Sequence, residues 1–219
     1  MSYDTDTVGI AGLRFFGKMS ASISHEIKNV LAIINENAGL LKDYTLMAEK
    51  GLDLNPHQVG AKAEKIMAQV ARADEIIKKM NVLAHSIDED RQQINLDVII
   101  KLMIALSDRM AAMKNIKLEL SATSESVSII TTPFFLENLI SLCLDFVLNV
   151  ADEGSVLQLG CEKTKKGALI RFTQPGKLPD EQSAGFSDDT VTAIMAALQA
   201  ELFMDPPLGE IIITLPKEI

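Results

Sequence analysis

Through the first third of the chain, apolar side chains recur at intervals of three and four. Phe16, Met19, Ile23, Ile27, Val30, Ile34, Ala38 and Leu41 make one seam, and its spacing predicts a helix over about residues 8–48. The run Gly51-Leu52-Asp53-Leu54-Asn55-Pro56 breaks it, with Asn55 placed to cap the next helix and Pro56 at its first position. A second seam follows at Val59, Ala63, Ile66, Val70, Ala73, Ile77, Met80 and Ala84, and predicts a helix ending near Ile87. Two long helices joined by a short turn make an antiparallel hairpin. A lone hairpin leaves one side of both seams wet. Pairing two hairpins into a four-helix bundle buries that side, so a homodimer through about residues 8–87 is expected.

The acidic, unpatterned segment Asp88-Glu89-Asp90-Arg91-Gln92 reads as a linker, and the periodicity changes after it. Helices are predicted over Leu96–Met113, Pro133–Val150 and Thr190–Leu202. Strands are predicted over Ile116–Leu120, Ser126–Ile130, Ser155–Glu162, Ala168–Thr173 and Gly209–Pro216, with a hairpin turn at Lys165-Lys166-Gly167. Strands and helices mixed in this order predict an α/β sandwich, one sheet covered by helices on one face. The fold class is thus α+β, with a helical domain at 1–88 and an α/β domain at 93–219.

Composition narrows the setting. The 219 residues are 47% hydrophobic but only 5% aromatic, as in a largely helical protein rich in Leu, Ile, Met and Ala. The ten methionines read as core filler. A net charge of −9 argues against nucleic acid as a partner. No run approaches the roughly 18 uninterrupted apolar residues of a membrane span, and the start Met1-Ser2-Tyr3-Asp4-Thr5-Asp6 is acidic rather than basic. Cys143 and Cys161 stand singly in apolar surroundings and read as reduced core residues. A cytoplasmic protein with no membrane contact is expected.

The candidate chemistry lies in Gly17-Lys18-Met19-Ser20-Ala21-Ser22-Ile23-Ser24-His25-Glu26-Ile27-Lys28-Asn29-Val30. His25 lies about 160° around the helix from both Ile23 and Ile27, so it faces water when they pack inward. Ser22 and Asn29 fall within about 60° of it. Glu26 is the neighbour able to accept a hydrogen bond from one ring nitrogen, which leaves the other as a nucleophile suited to capturing a phosphoryl group. A zinc site of the His-Glu-x-x-His kind is excluded because position 29 is Asn, and no metal or cofactor site is expected. Of the other histidines, His57 falls in the first turn of the second helix. His85 falls in its last turn, where the helix dipole favours a structural cation.

The Phe-Phe-Gly-Lys-Met-Ser lead-in from Phe15 and the Ser-His-Glu-Ile-Lys-Asn core closely resemble the H-box of sensor histidine kinases. The resemblance implies that His25 accepts the phosphoryl group, with Glu26 and Asn29 as its catalytic neighbours and Ser22 and Lys28 as partner contacts. The later element order is similar to the family's ATP-binding domain, the Bergerat fold. There the chemistry departs from the family. Reading Leu136–Val147 as the N-box puts Leu142 and Phe146 where the family carries asparagines, and neither supplies the hard oxygen that Mg²⁺ needs. Where an Asp-x-Gly-x-Gly loop should follow the strand stands Arg171-Phe172-Thr173-Gln174-Pro175-Gly176-Lys177, without Asp and with one Gly. Asp189-Thr190-Val191-Thr192 replaces the glycine-rich phosphate loop, and the lid is short.

These losses imply a dimeric histidine phosphotransfer protein of a bacterial phosphorelay, needing no ATP. It would pass a phosphoryl group through His25 between the aspartates of response-regulator receiver domains that bring their own Mg²⁺. Two alternatives stand beside it: a fragment of a sensor kinase with a divergent ATP site, and a pseudokinase or phosphatase adaptor for a regulator.

Overall fold

The computed structural model describes residues 5–121, 125–179, 186 and 188–219. Helix α1 runs Thr5–Glu49 and helix α2 runs Pro56–His85. At about 1.5 Å per residue the first is some 70 Å long. Gly51, at φ 83°, turns the chain out of α1, and the Leu52 N–H donates to the Met47 carbonyl at 3.1 Å. Asn55 caps α2 as its sequence position requires, its Oδ1 accepting from the His57 N–H at 3.0 Å.

Met19–Ala84 form one compact unit. Within it Met19, Ile23, Val30 and Asn37 of α1 and Ile76 and Leu83 of α2 are buried, and Gln69 is half-buried. Ile23, Val30 and Asn37 on α1, and Ile76 and Leu83 on α2, fall seven residues apart, the spacing of a bundle seam. The seam read from sequence is therefore displaced on α2. Ile76 and Leu83 are buried, whereas Val70, Ile77 and Met80 stay 55%, 48% and 39% exposed. The reason is angular, since one residue is about 100° of helix and the 70/77 row lies on the flank of the hairpin rather than in its crease. On α1, Phe16 and Ala38 are likewise exposed.

The second unit comprises the described residues of Met1–Lys18 together with His85–Ile219. It holds strand β1 (Gln92–Asn95), helix α3 (Leu96–Met113), β2 (Lys117–Leu120), β3 (Ser128–Thr131), helix α4 (Pro133–Val150), β4 (Val156–Lys163), β5 (Gly167–Thr173), helix α5 (Asp189–Leu198), β6 (Glu201–Asp205) and β7 (Glu210–Pro216). Five strands form a sheet in the order β2-β4-β5-β7-β6, with β2 parallel to β4 and the other pairs antiparallel; β1 and β3 make a separate antiparallel pair. Alternate residues point to one buried face: Leu157, Leu159 and Cys161 on β4, Ala168, Ile170 and Phe172 on β5, and Ile211, Ile213 and Leu215 on β7. The core is completed by Ile100, Met103 and Leu106 of α3, Leu136, Leu139, Ile140, Cys143 and Leu144 of α4, and Val191, Ile194 and Leu198 of α5. Both cysteines are free and buried, and burial pushes the Cys161 thiol up to about 12.

Two expectations are corrected here. The helix predicted to reach Leu202 stops at Leu198, because Gln199 takes a left-handed conformation at φ 49° and caps it. The following Glu201–Asp205, whose Leu-Phe-Met content suits either state, is then the edge strand β6. Gln92, assigned to the linker, begins β1. Helix α4 is long and apolar enough to cross a membrane by length and composition alone, but thirteen of its eighteen residues are buried inside the fold as in a core helix.

Helix α4 also receives the start of α1. The Phe15 and Phe134 rings lie 5.5 Å apart, and Gly12 lies so close that an added Cβ would fall 2.9 Å from the Phe134 ring. Lys18 forms an ion pair with both carboxylate oxygens of Asp145. At the other end of the hairpin, Ser86 Oγ donates to Glu137 Oε2 at 2.7 Å.

Glu137 is fully buried, its Oε1 has no hydrogen-bond partner, and burial raises its pKa from 4.5 to about 7 despite the Ser86 bond. Because the folded value lies above the unfolded one, the group's stabilising contribution is complete below pH 4.5 and is lost as pH rises through about 7. The shift corresponds to roughly 3 kcal/mol. Glu137→Gln, neutral at every pH, is expected to match the wild type near pH 4 and exceed it at pH 8. Urea denaturation across this range checks it; parallel pH profiles for the two proteins would refute it.

Candidate functional site

His25 sits near the middle of α1, where every backbone N–H is already spent within the helix, and its side chain is exposed. Lys28 and Asn29, three and four residues on, share its side of the helix and are also exposed. Ser22, three residues before, is half-buried, and its Oγ is shut from solvent without a hydrogen-bond partner. Glu26 is half-buried. Among the described residues no hydrogen bond joins Glu26 to His25, as expected of adjacent helical positions that point about 100° apart. The structure thus places His25, Lys28 and Asn29 on one wet face, with Ser22 and Glu26 at its margins. The arrangement offers an unencumbered imidazole, a carboxylate one position away, a cation and an amide. His85, by contrast, is paired with Asp88 at 2.7 Å, and His57 lies exposed in the first turn of α2.

In the α/β unit, the positions read against the N-box are apolar and packed. Leu142 is half-buried. Phe146 is 9% exposed and its ring lies 4.5 Å from that of Phe186, in the segment before α5. The polar residues nearby in sequence are engaged elsewhere. Asp145 holds Lys18, Asn149 Oδ1 accepts from Lys114 Nζ at 2.6 Å, and Asn138 is buried with its amide nitrogen unpartnered. Gln174, directly after β5, stands two residues before Gly176, the spacing of Asp-x-Gly with an amide in place of the acid. This Gln is 4% exposed, and among the described residues its Nε2 reaches the Lys177 carbonyl, at 3.4 Å. The loop is clamped on the β6–β7 turn: the Gln174 N–H donates to the Gly209 carbonyl at 3.0 Å, and Gly209, at φ 70°, lies so close to the Gly176 carbonyl that a Cβ would meet its oxygen at 2.2 Å. At the start of α5, Asp188 Oδ1 accepts from the Val191 N–H at 2.9 Å, so the chain's own carboxylate occupies that helix end. Except for Phe186, residues 180–185 and 187, where the short lid was expected, lie outside the described residues.

No protein-family profile and no curated protein matches the sequence. Solved structures do. The catalytic domain of histidine kinase ThkA superposes with a TM-score of 0.52 at 12% identity, covering 59% of this chain and 99% of that one. The Acinetobacter baumannii histidine kinase AdeS gives 0.50 at 12% identity over 83% of this chain and 95% of its own. ThkA in complex with the response regulator protein TrrA gives 0.50 at 17% identity over 94% of this chain and 63% of that chain. This chain therefore has a histidine kinase-like fold, a helical part followed by an α/β unit of the ATP-binding-domain type.

Proposed function

We propose that this protein is a histidine phosphotransfer protein acting in the cytoplasm with response-regulator receiver domains. The observation that carries the reading is the contrast between its two ends of chemistry. His25 is exposed and, among the described residues, unpaired on a kinase-like hairpin, while the N-box positions of the α/β unit are a leucine and a phenylalanine packed against Phe186. Such a protein takes its phosphoryl group from an aspartyl phosphate rather than from ATP. The neutral imidazole of His25 attacks phosphorus in line, an N–P bond forms, the acyl O–P bond breaks, and the regulator's aspartate leaves as a carboxylate. The ring carries positive charge until its second nitrogen loses a proton, and a rotamer change brings the Glu26 carboxylate to that nitrogen. Transfer to a second regulator runs the same step in reverse. Mg²⁺, held by the regulator, offsets charge on the phosphoryl oxygens. Ser22 and Lys28 flank the attacked group as partner contacts, with Lys28 favouring an anionic phosphate.

His25→Ala is expected to abolish transfer from a phosphorylated regulator and to leave folding intact, because the exposed ring contributes little packing. Glu26→Gln should slow transfer by ~10²-fold, and Asn29→Ala should spare transfer while changing hydrolysis of the regulator's phosphate. Acid-labile, base-stable phosphate on the protein is the readout. Labelling that survives in His25→Ala would remove the phosphotransfer reading and leave the adaptor.

No ATP binding is expected in the α/β unit. A calorimetric titration with ATP and Mg²⁺ checks this, and a dissociation constant tighter than about 100 μM, or 5–6 kcal/mol, would turn the reading back to a kinase with a divergent site.

The proposal includes a homodimer through the hairpin, supported by the half-exposed row Val70, Ile77 and Met80 beside the buried seam. Light scattering at micromolar concentration should give twice the chain mass; a monomer mass would count against it.

A further inference from the structure

The chain passes from the helical unit into the α/β unit after Ala84, and between Leu83 and Ile94 Ser86 alone is buried. Its Oγ donates to Glu137 Oε2 at 2.7 Å, both residues lying within the α/β unit. His85 before it and Ile87 to Gln93 after it are exposed, so this one side chain fastens the segment to α4. Its acceptor is an unusual one. Glu137 is fully buried, and among the described residues its Oε1 has no hydrogen-bond partner; the neighbouring Asn138 amide nitrogen is buried and unpartnered as well. A neutral carboxyl suits such a place, whereas a carboxylate needs water or a further donor at Oε1. No cation supplies it. His85 is paired with Asp88 at 2.7 Å, Lys18 of α1 is taken by Asp145, and Glu89, Asp90 and Arg91 are exposed. The buried positions of α3 and α5, the helices packed on α4, include no charged residue. Burial therefore sets the protonation of Glu137, raising it to about 7 against the pull of the Ser86 bond.

We propose that the Ser86–Glu137 contact is a pH-operated latch, closed while the Glu137 carboxyl holds its proton and opened by loss of that proton, when the segment around Ser86 lifts from α4 and lets water reach the carboxylate. Ser86 is the part that moves. It stands in the turn after α2 between exposed neighbours, whereas thirteen of the eighteen residues of α4 are buried. The sign follows from linkage. The carboxyl holds its proton more tightly when the latch is closed than when it is hydrated, so the closed form is most favoured below pH 4.5. It loses ground as pH rises to about 7, and beyond that the balance stays level. A rise in pH across this interval thus frees the point at which the chain enters the α/β unit, without requiring the sheet or its helices to unfold.

Hydrogen exchange of the full chain at pH 5 and pH 8, corrected for the intrinsic exchange rates and read by mass spectrometry, tests the latch. The amides from Val82 to Asp88 are compared with those of β4, β5 and β7. Protection over 82–88 should fall by ~10²-fold between the two pH values, the ratio that a carboxyl moving from about 7 to 4.5 on opening produces. At pH 8 these amides should also exchange well before those of the strands. Glu137→Gln, which cannot ionise, should abolish the fall. Ser86→Ala removes the donor but leaves the buried acid, so protection should be lower at both pH values with the fall retained. His85→Gln, which removes the neighbouring imidazole, should retain the fall too. Protection over 82–88 that does not change with pH overturns the latch, as does a fall that survives Glu137→Gln or disappears in His85→Gln. Equal loss of protection over 82–88 and in the strands, to the same level, would mean global unfolding and overturn it as well. If Glu137→Gln does not fold, the Ser86→Ala and His85→Gln chains and the comparison with the strands still decide.

Discussion

Helix α4 is the constraint on which the α/β unit depends. Thirteen of its eighteen residues are buried, too many for the sheet-facing side of a helix alone, so other elements must cover its remaining sides. The start of α1 does so through Phe15 and Lys18, and the end of α2 does so through Ser86. The cost of this placement is visible in Glu137, a carboxyl buried with a single hydrogen bond and pushed toward its neutral form. Within this unit the start of α1 and the residue after α2 meet α4 by contacts of different kinds: aromatic, ionic and a hydroxyl-to-carboxyl hydrogen bond.

The same helix bears Leu142 and Phe146, the two positions read against the N-box. Phe146 stacks on Phe186 where an asparagine would be needed to present oxygen to a cation, and Asp145, the nearest carboxylate, is held by Lys18. The loop after β5 and the β6–β7 turn are held together by the Gln174 N–H to Gly209 carbonyl bond and by the close approach of Gly209 to the Gly176 carbonyl.

Much of this could be read from sequence, and the exceptions have physical causes. The two long helices, their cap at Asn55, the strand alternation of β4, β5 and β7 and the exposed position of His25 follow from periods of 3.6 and 2, because those periods are properties of the backbone itself. The strand β6 could not be read, because Glu-Leu-Phe-Met-Asp has no alternation strong enough to oppose a helix and only the left-handed Gln199 ends α5 in time. The α2 seam was displaced by one residue because Ala, Ile and Met occupy neighbouring helical rows, so composition alone leaves the direction of the face open by about 100°.

What the sequence determined by itself was therefore local: where most helices and strands begin, that His25 faces away from Ile23 and Ile27, and that Leu142 and Phe146 offer no oxygen. Tertiary structure alone decided the partners. That Lys18 meets Asp145, that Ser86 meets Glu137 and that Phe146 meets Phe186 depend on packing between segments far apart in the chain. No local propensity records such pairings, because burial and the unpaired groups it creates exist only after distant elements have excluded water from between them.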